Sequence, residues 1–410
     1  MAEIHPFRAL RPPQASAAAI ASVPYDVVDT EEARALAAGS SLSFLHVIRP
    51  EIDLEAGIDL HSDEVYAAGR EALQRHLETA QYVEEDEPSL YVYRLNLAGR
   101  DQTGVVGCCS VDEYDDNRIL KHERTRQDKE DDRTRHVVEM RCQAEPIFLC
   151  HRDSPEVDAL VADVVQGEPL YDFVAADGVR HTLWRVPWPE AFVHAYRSIT
   201  PLYVADGHHR SASASRARAH FRARNPVHSG HEEYNRVLAT VFPASQLRIL
   251  PYNRVVLNLG GLTVDAFLAE LEKLGPVLPT ADHSPSRRGQ FCLCLPGGNG
   301  PRWFSFHLSP AEGASVIDTL DVSLLQDRVL APLLGIDDQR TSKRIDFVGG
   351  VRGTKELERL VAEGRASAAF SLFPTSLDEL MSVSDAGLIM PPKSTWFEPK
   401  LRSGLFLHAI

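Results

Sequence analysis

No run of about 18 apolar residues occurs in the 410-residue chain, so no membrane-spanning helix is expected. The opening MAEIHPFRALRPPQ has no basic segment followed by an apolar one. No secretory signal is therefore expected, and the chain reads as cytoplasmic. Cysteine is scarce: Cys108, Cys109, Cys142, Cys150, Cys292 and Cys294 include no C-x-x-C pair. That spacing offers no zinc site and no disulfide scaffold, and the thiols are expected to be buried as small hydrophobes. Positive charge is in deficit. Lys plus Arg is 43 against 58 Asp plus Glu, a net charge of −15, which argues against a broad nucleic-acid-binding surface. Low-complexity tracts, fixed-period repeats and the G-x-x-x-x-G-K phosphate loop are absent as well.

What is present is ordinary globular chain, 44% hydrophobic and 25% charged, long enough for two or three cores. Helical periodicity marks 31–38, 62–80, 155–165, 264–273 and 354–363, with a further helix at about 321–330. Alternation and β-branched or aromatic residues mark strands at 89–97, 105–111, 143–150, 202–205, 236–242, 290–295 and 302–308. A turn over 99–103 joins the first two strands. Asp177-Gly178 turns a second hairpin, 171–175 with 181–186. Sixteen of the 24 residues from 112 to 135 are charged, so that block reads as a solvated helix with i,i+4 pairs. A domain boundary falls near 255, giving regions 1–255 and 256–410. The proline-rich end, LIMPPKSTWFEPKLRSGLFLH, is too apolar to be floppy and is expected to pack back on the body.

The segment PLYVADGHHRSASASRARA, residues 201–219, carries the most specific chemistry. A buried strand runs into Asp206, Gly207 permits a backbone turn barred to other residues, and a helix follows, expected from Ser211 to Arg224. Such a turn points free N–H groups and the positive end of a helix dipole outward, which binds anions. His208, His209, Arg210 and Ser211 add donors. Asp206 can bind a ribose hydroxyl, orient a histidine or contact a metal through water. No direct metal ligand set is expected.

The D-G-H-H-R turn resembles the phosphate-binding turn of the ParB/sulfiredoxin-like fold. There, a Gly-Cys-His-Arg turn of sulfiredoxins holds ATP phosphates and a Gly- and Arg-containing turn of ParB proteins holds CTP. Archaeal free serine kinases carry the same D-G-H-H-R turn. Over nearly the whole chain the sequence is similar to a widespread bacterial and archaeal family of unknown function. The shared blocks are VPYDVV (23–28), ILKHERT (119–125), DGHHR (206–210), LPYNRVV (250–256) and MPPKSTWFEPKL (390–401). The resemblance implies an α+β fold: a ParB/sulfiredoxin-like nucleotide-binding core with a mixed sheet, elaborated by a C-terminal α/β portion. It also implies a kinase using ATP or ADP with Mg2+ on a small hydroxyl compound, free L-serine among them.

In that reading Gly207, His208, His209, Arg210 and Ser211 hold the nucleotide, and His209 and Asp206 join the chemistry. The free serine kinases use a glutamate as base. Glu123, between Lys121 and Arg124, is the candidate on chemical grounds, because those cations would make it a good hydroxyl orienter. Tyr25, Asp26, His122 and Lys393 are candidates for contacting the substrate. Two other readings stand beside the kinase. One is a ParB-like nucleotide-hydrolysing switch or DNA-associated regulator, favoured by Arg210, Arg216, Arg218, Arg222 and Arg224. The other is a non-catalytic nucleotide binder. Expected partners are the nucleotide, the hydroxyl substrate and a second copy of the chain, with no membrane and no nucleic acid.

Overall fold

The computed structural model describes residues 2–79 and 82–410. The chain forms two compact units. The first comprises Met1–Lys121, Thr125–Leu247 and Pro399–Ile410, and the second comprises His122–Arg124 and Arg248–Glu398.

In the first unit a nine-stranded sheet is built from Ile4–His5 (β1), Tyr91–Leu97 (β2), Arg100–Ser110 (β3), Ile119–Leu120 (β4), Ile147–His151 (β5), Tyr171–Val174 (β6), Arg180–Arg185 (β7), Leu202–Asp206 (β8) and Arg236–Pro243 (β9). The order is β4–β8–β5–β9–β3–β2–β7–β6, with β1 alongside β3. The sheet is mixed: β4 with β8 and β5 with β9 are parallel, while β8 with β5 is antiparallel. Its main helices are Asp63–Thr79 (α1), Gln127–Met140 (α2), Pro155–Val164 (α3), Pro189–Tyr196 (α4) and His208–Arg222 (α5). Ala80, the expected end of α1, lies outside the described residues.

The β2–β3 hairpin is tighter than expected. Ala98 and Gly99 both have positive φ (52° and 80°), the two-residue turn that matches strand twist, so β3 starts at Arg100 rather than Val105. Strand alternation then sets the core. Ile147 and Leu149 of β5 and Val237, Ala239 and Val241 of β9 share a face with Val157 of α3 and with Phe192 and Tyr196 of α4. Burying each such side chain is worth roughly 1.5–3 kcal/mol. All six cysteines are buried and unpaired.

The charge-dense block is not one solvated helix. It divides into a short helix Val111–Asp115, strand β4, a loop and α2. Asp132, Arg133 and His136 of α2 are buried, because α2 packs on α1 and α5 and takes its charged face inward. No helix among the described residues is long and apolar enough to cross a membrane.

The second unit has an antiparallel six-stranded sheet: Tyr252–Val256 (β10), Leu278–Pro279 (β11), Gln290–Leu295 (β12), Arg302–His307 (β13), Ile345–Gly349 (β14) and Ala368–Leu372 (β15), ordered β11–β13–β12–β15–β10–β14. Leu357 and Val361 of the helix Gly353–Ala362 (α6) cover Val255, Cys292 and Cys294. The expected helix at 321–330 is α-helical over Asp321–Leu325 and widens into a π-turn over Gln326–Leu330.

Two buried histidines of the first unit make stability pH-dependent. Burial first, then the nearby Arg133, push His136 down to about 4. Burial and Arg402 push His181 down to about 3. The unfolded chain therefore takes up protons near pH 6.5 that the folded chain refuses. Each imidazole removes up to about 1.4 kcal/mol of stability per pH unit as pH falls from about 6.5 toward its folded value. Urea midpoints should fall between about pH 7 and pH 5 and fall less steeply in His181→Gln; equal slopes would show that His181 does not contribute.

Candidate functional site

Strand β8 ends on Asp206, and Gly207 turns the chain at φ +93°. A Cβ at Gly207 would lie 3.1 Å from the Arg210 guanidinium, so both the dihedral and the space call for glycine. Helix α5 starts at once on His208, three residues earlier than expected, and Gly207 supplies no side-chain cap. The first N–H groups of a helix have no intrahelical acceptor, and here they sit at the positive end of a 15-residue dipole.

Asp206 is the hub beneath the turn. Its Oδ1 accepts a hydrogen bond from Lys400 Nζ at 3.1 Å, and its Oδ2 accepts one from Arg210 Nη2 at 3.1 Å. Burial alone would raise its pKa, but Lys400 and then Arg210 outweigh burial and hold the carboxyl well below the usual carboxylate range. Arg210 is itself only 9% exposed. Its Nη1 donates to the Pro146 carbonyl at 2.7 Å, and its Nε has no hydrogen-bond partner. The guanidinium thus faces inward, bracing the turn.

A second layer of charge surrounds it. Glu145 accepts from the Tyr25 N–H at 3.1 Å and from the Ser403 hydroxyl at 3.2 Å. Burial raises the Glu145 pKa, and Arg210 and Arg133 oppose that rise. Arg133 lies 4.2 Å from the centroid of the Tyr25 ring and pairs with Asp132 at 2.8 Å. Tyr25 is buried, which pushes its hydroxyl well above the ordinary phenol range, and the exposed Asp26 adds to that rise. Asp26 and Tyr25 also act electrostatically on Arg210.

The other expected residues fall as follows. His208 is buried and His209 half-buried, and His209 Nε2 accepts the Arg126 N–H at 3.1 Å. Ser211 is buried and its hydroxyl donates back to the Gly207 carbonyl at 3.1 Å. His122, Glu123 and Lys393 belong to the second unit. There, His122 is buried, with Nε2 3.3 Å from the Thr395 hydroxyl and its carbonyl accepting the Met390 N–H at 2.8 Å. Glu123 lines a cavity of about 430 Å3 with Arg124, Asp327, Asp338, Gln339 and Met390. The Lys393 ammonium is 5.5 Å from the centroid of the Tyr252 ring. Arg254, fully buried, donates to the carbonyls of Tyr252, Pro392 and Lys393 and to Gln339 Oε1.

Sequence reasoning passed over Arg133 and Glu145 as site residues, and of the two lysines in the proline-rich strap it chose Lys393 rather than Lys400. Lys400 stands inside the MPPKSTWFEPKL block, which is the signal that could have found it. Two of the α5 arginines counted toward a basic stripe, Arg216 and Arg218, are held in ion pairs. Arg216 pairs with Asp131 and Glu130, and Arg218 with Asp112 and Asp115, so the acidic block neutralises them.

The fold is that of a mixed α/β protein with a strand–glycine–helix turn on a large mixed sheet. The chain belongs to the family described as protein of unknown function (DUF1015), which matches residues 4–323. No curated protein matches it. Among solved structures, a conserved hypothetical protein from Pyrococcus furiosus is 14% identical, with a TM-score of 0.37 over 74% of this chain and 95% of that one. A free serine kinase in complex with AMP is 14% identical, with a TM-score of 0.38 over 74% of this chain and 91% of that one. SbnI with a C-terminal truncation, from Staphylococcus aureus, is 12% identical, with a TM-score of 0.39 over 74% and 87%.

Lys400→Met should destabilise the protein by about 3 kcal/mol, because it leaves a largely buried carboxylate short of one cation. Asp206→Asn should cost much less in the Lys400→Met background than in the wild type, which a urea double-mutant cycle would read. Additive costs would mean that the pair is not coupled.

Proposed function

We propose that the protein is a nucleotide-dependent kinase that phosphorylates a small hydroxyl compound, with free L-serine as a candidate acceptor. The observation that carries this reading is the turn from Asp206 to Arg210, a strand end, a positive-φ glycine and a long uncapped helix start. In this reading the turn is of the ParB/sulfiredoxin-like kind. The N–H groups at the start of α5 receive the terminal phosphates of ATP or ADP, and the His208 and His209 rings flank them. Arg210 and Lys400 supply positive charge from below rather than gripping phosphate from above. A transferred phosphoryl group needs this positioning and charge neutralisation more than covalent help.

Asp206 takes a positioning role. A carboxyl held so far down has little proton affinity, so it makes a poor general base. Magnesium in such enzymes draws most of its ligands from phosphate oxygens and water, with one or two carboxylates. Asp26 fits that requirement, since it is an exposed carboxylate within electrostatic reach of Arg210. Glu123 remains the proposed hydroxyl-orienting base, with His122 and Lys393 as proposed acceptor contacts. Tyr25 supports the site through Arg133 and Glu145. The switch reading is weakened by the pairing of Arg216 and Arg218 with acids.

The test is turnover of ATP, ADP, CTP and GTP with magnesium, with and without free amino acids and polyols. Turnover stimulated by one acceptor, with a phosphorylated product of matching mass, is expected. Nucleotide binding without acceptor-stimulated turnover would overturn the kinase. Gly207→Ala should fold yet bind nucleotide at least about tenfold more weakly, since a positive φ costs an alanine about 1–2 kcal/mol and its methyl crowds Arg210. Unchanged affinity would remove the turn from the nucleotide site.

A further inference from the structure

The first unit has a cavity of about 310 Å3 whose lining includes no residue of the glycine turn. Part of its wall is apolar, with Val105, Val157, Val161, Val165 and Val241 among the lining residues, and part is polar. Of the polar side chains in the lining, His151 and Tyr196 are 0% exposed. Neither His151 Nε2 nor the Tyr196 hydroxyl has a hydrogen-bond partner. Buried polar atoms without partners are rare and costly, and two in one cavity wall point to a missing ligand.

The chemistry of the pair is defined. His151 Nδ1 lies 2.8 Å from the Arg152 carbonyl, which can only accept, so Nδ1 carries the proton and Nε2 offers a lone pair. Burial lowers the pKa of His151 and keeps the ring neutral. Burial likewise raises the Tyr196 hydroxyl well above its ordinary range, so it stays a donor. The rings meet edge to face with centroids 5.7 Å apart. One acceptor and one donor on neighbouring rings match the donor and acceptor of a single hydroxyl group. Ions fit poorly. The buried polar pair carries no net charge, and among the charged lining residues Arg94 and Asp101 pair with each other at 3.7 Å, while Asp158 is exposed.

The site is distinct from the turn. In the β5 register Phe148 pairs with Asp206, whereas His151 pairs with Pro243 at the other strand end, about 10 Å along the strand. We propose that this cavity is a second ligand site, for a small uncharged molecule that carries one hydroxyl on an apolar body.

Phenol is the probe and toluene its hydroxyl-free control, read by saturation-transfer NMR on the full-length protein. Phenol should bind saturably and toluene about tenfold more weakly, the net worth of the hydrogen bonds to the pair. Tyr196→Phe should narrow that difference, and the ligand-free variant should melt no lower than wild type, since a partnerless hydroxyl is lost. Ala162→Trp, at an exposed position of α3 lining the cavity, should abolish binding of both probes with the fold intact. No saturable phenol binding would overturn the proposal and leave a cavity filled by water alone. Equal binding of phenol and toluene, or phenol binding untouched by Ala162→Trp, would overturn it too. Should Tyr196→Phe fail to fold, Ala162→Trp still decides. None of these outcomes depends on nucleotide turnover.

Discussion

The first unit turns on one clamped carboxylate. Asp206 closes β8, and its two oxygens are held by Lys400 from the C-terminal segment and by Arg210 from the first turn of α5. Two pieces of chain, 194 residues apart, therefore meet on a side chain that could not be buried alone. Removing a carboxylate from water costs several kcal/mol, and that cost is offset only when the partners are close and the remaining lone pairs are used. Arg210 in turn reaches the Pro146 carbonyl, which opens β5 beside β8. The geometry of the glycine turn is thus a consequence of ion pairing on one side and of hydrogen bonding across two neighbouring strands on the other.

The C-terminal segment does more than supply Lys400. Arg402 reaches Asp177 in the β6–β7 turn and His181 on β7. Ser403 donates to Glu145, Gly404 accepts from the Tyr82 hydroxyl, and His408–Ala409 pairs with Cys142–Gln143. A Cβ on Gly404 would strike the Phe44 ring at 2.6 Å, so this strap passes too close to the body for any larger residue. Such a run of polar anchors makes the segment part of the site's foundation. It explains why its lysine and arginine are buried rather than snorkelling to solvent.

Local patterns were legible in the sequence, and non-local partnerships were not. The 236–242 strand, the 155–165 helix and the turn at Gly207 each depend on residues adjacent in sequence, and each appears within a few residues of its expected bounds. The start of α5 was placed late because His208 and His209 are mediocre helix formers. What starts the helix is the backbone reversal at Gly207, not propensity. The 112–135 block misled for the opposite reason. Composition said solvent, yet Arg133 is buried because Asp132, Glu145 and the Tyr25 ring, a hundred residues away, receive it. No window of sequence contains that information. Lys400 is the same case, since its partner lies 194 residues upstream.

Motif blocks that suggest ligand contact can also be explained by internal support. In the second unit Arg254 of LPYNRVV is fully buried and meets mostly carbonyls, two of them from MPPKSTWFEPKL. Burial lowers its pKa to about 10, with Tyr252 and Glu123 opposing the fall, so it remains a cation at neutral pH. Gln339 accepts from Arg254 and donates to Gln326, whose amide holds the Ile336 and Asp337 carbonyls. Gln326 opens the π-turn, an irregularity that helices retain mostly at functional positions. The buried cation thus anchors a chain of hydrogen bonds that ends in the wall of the cavity lined by Glu123. Two blocks far apart in sequence are tied together by one guanidinium. Met390, Pro391 and Pro392, which the second block presents to that cavity, rest on a charge that does not line it.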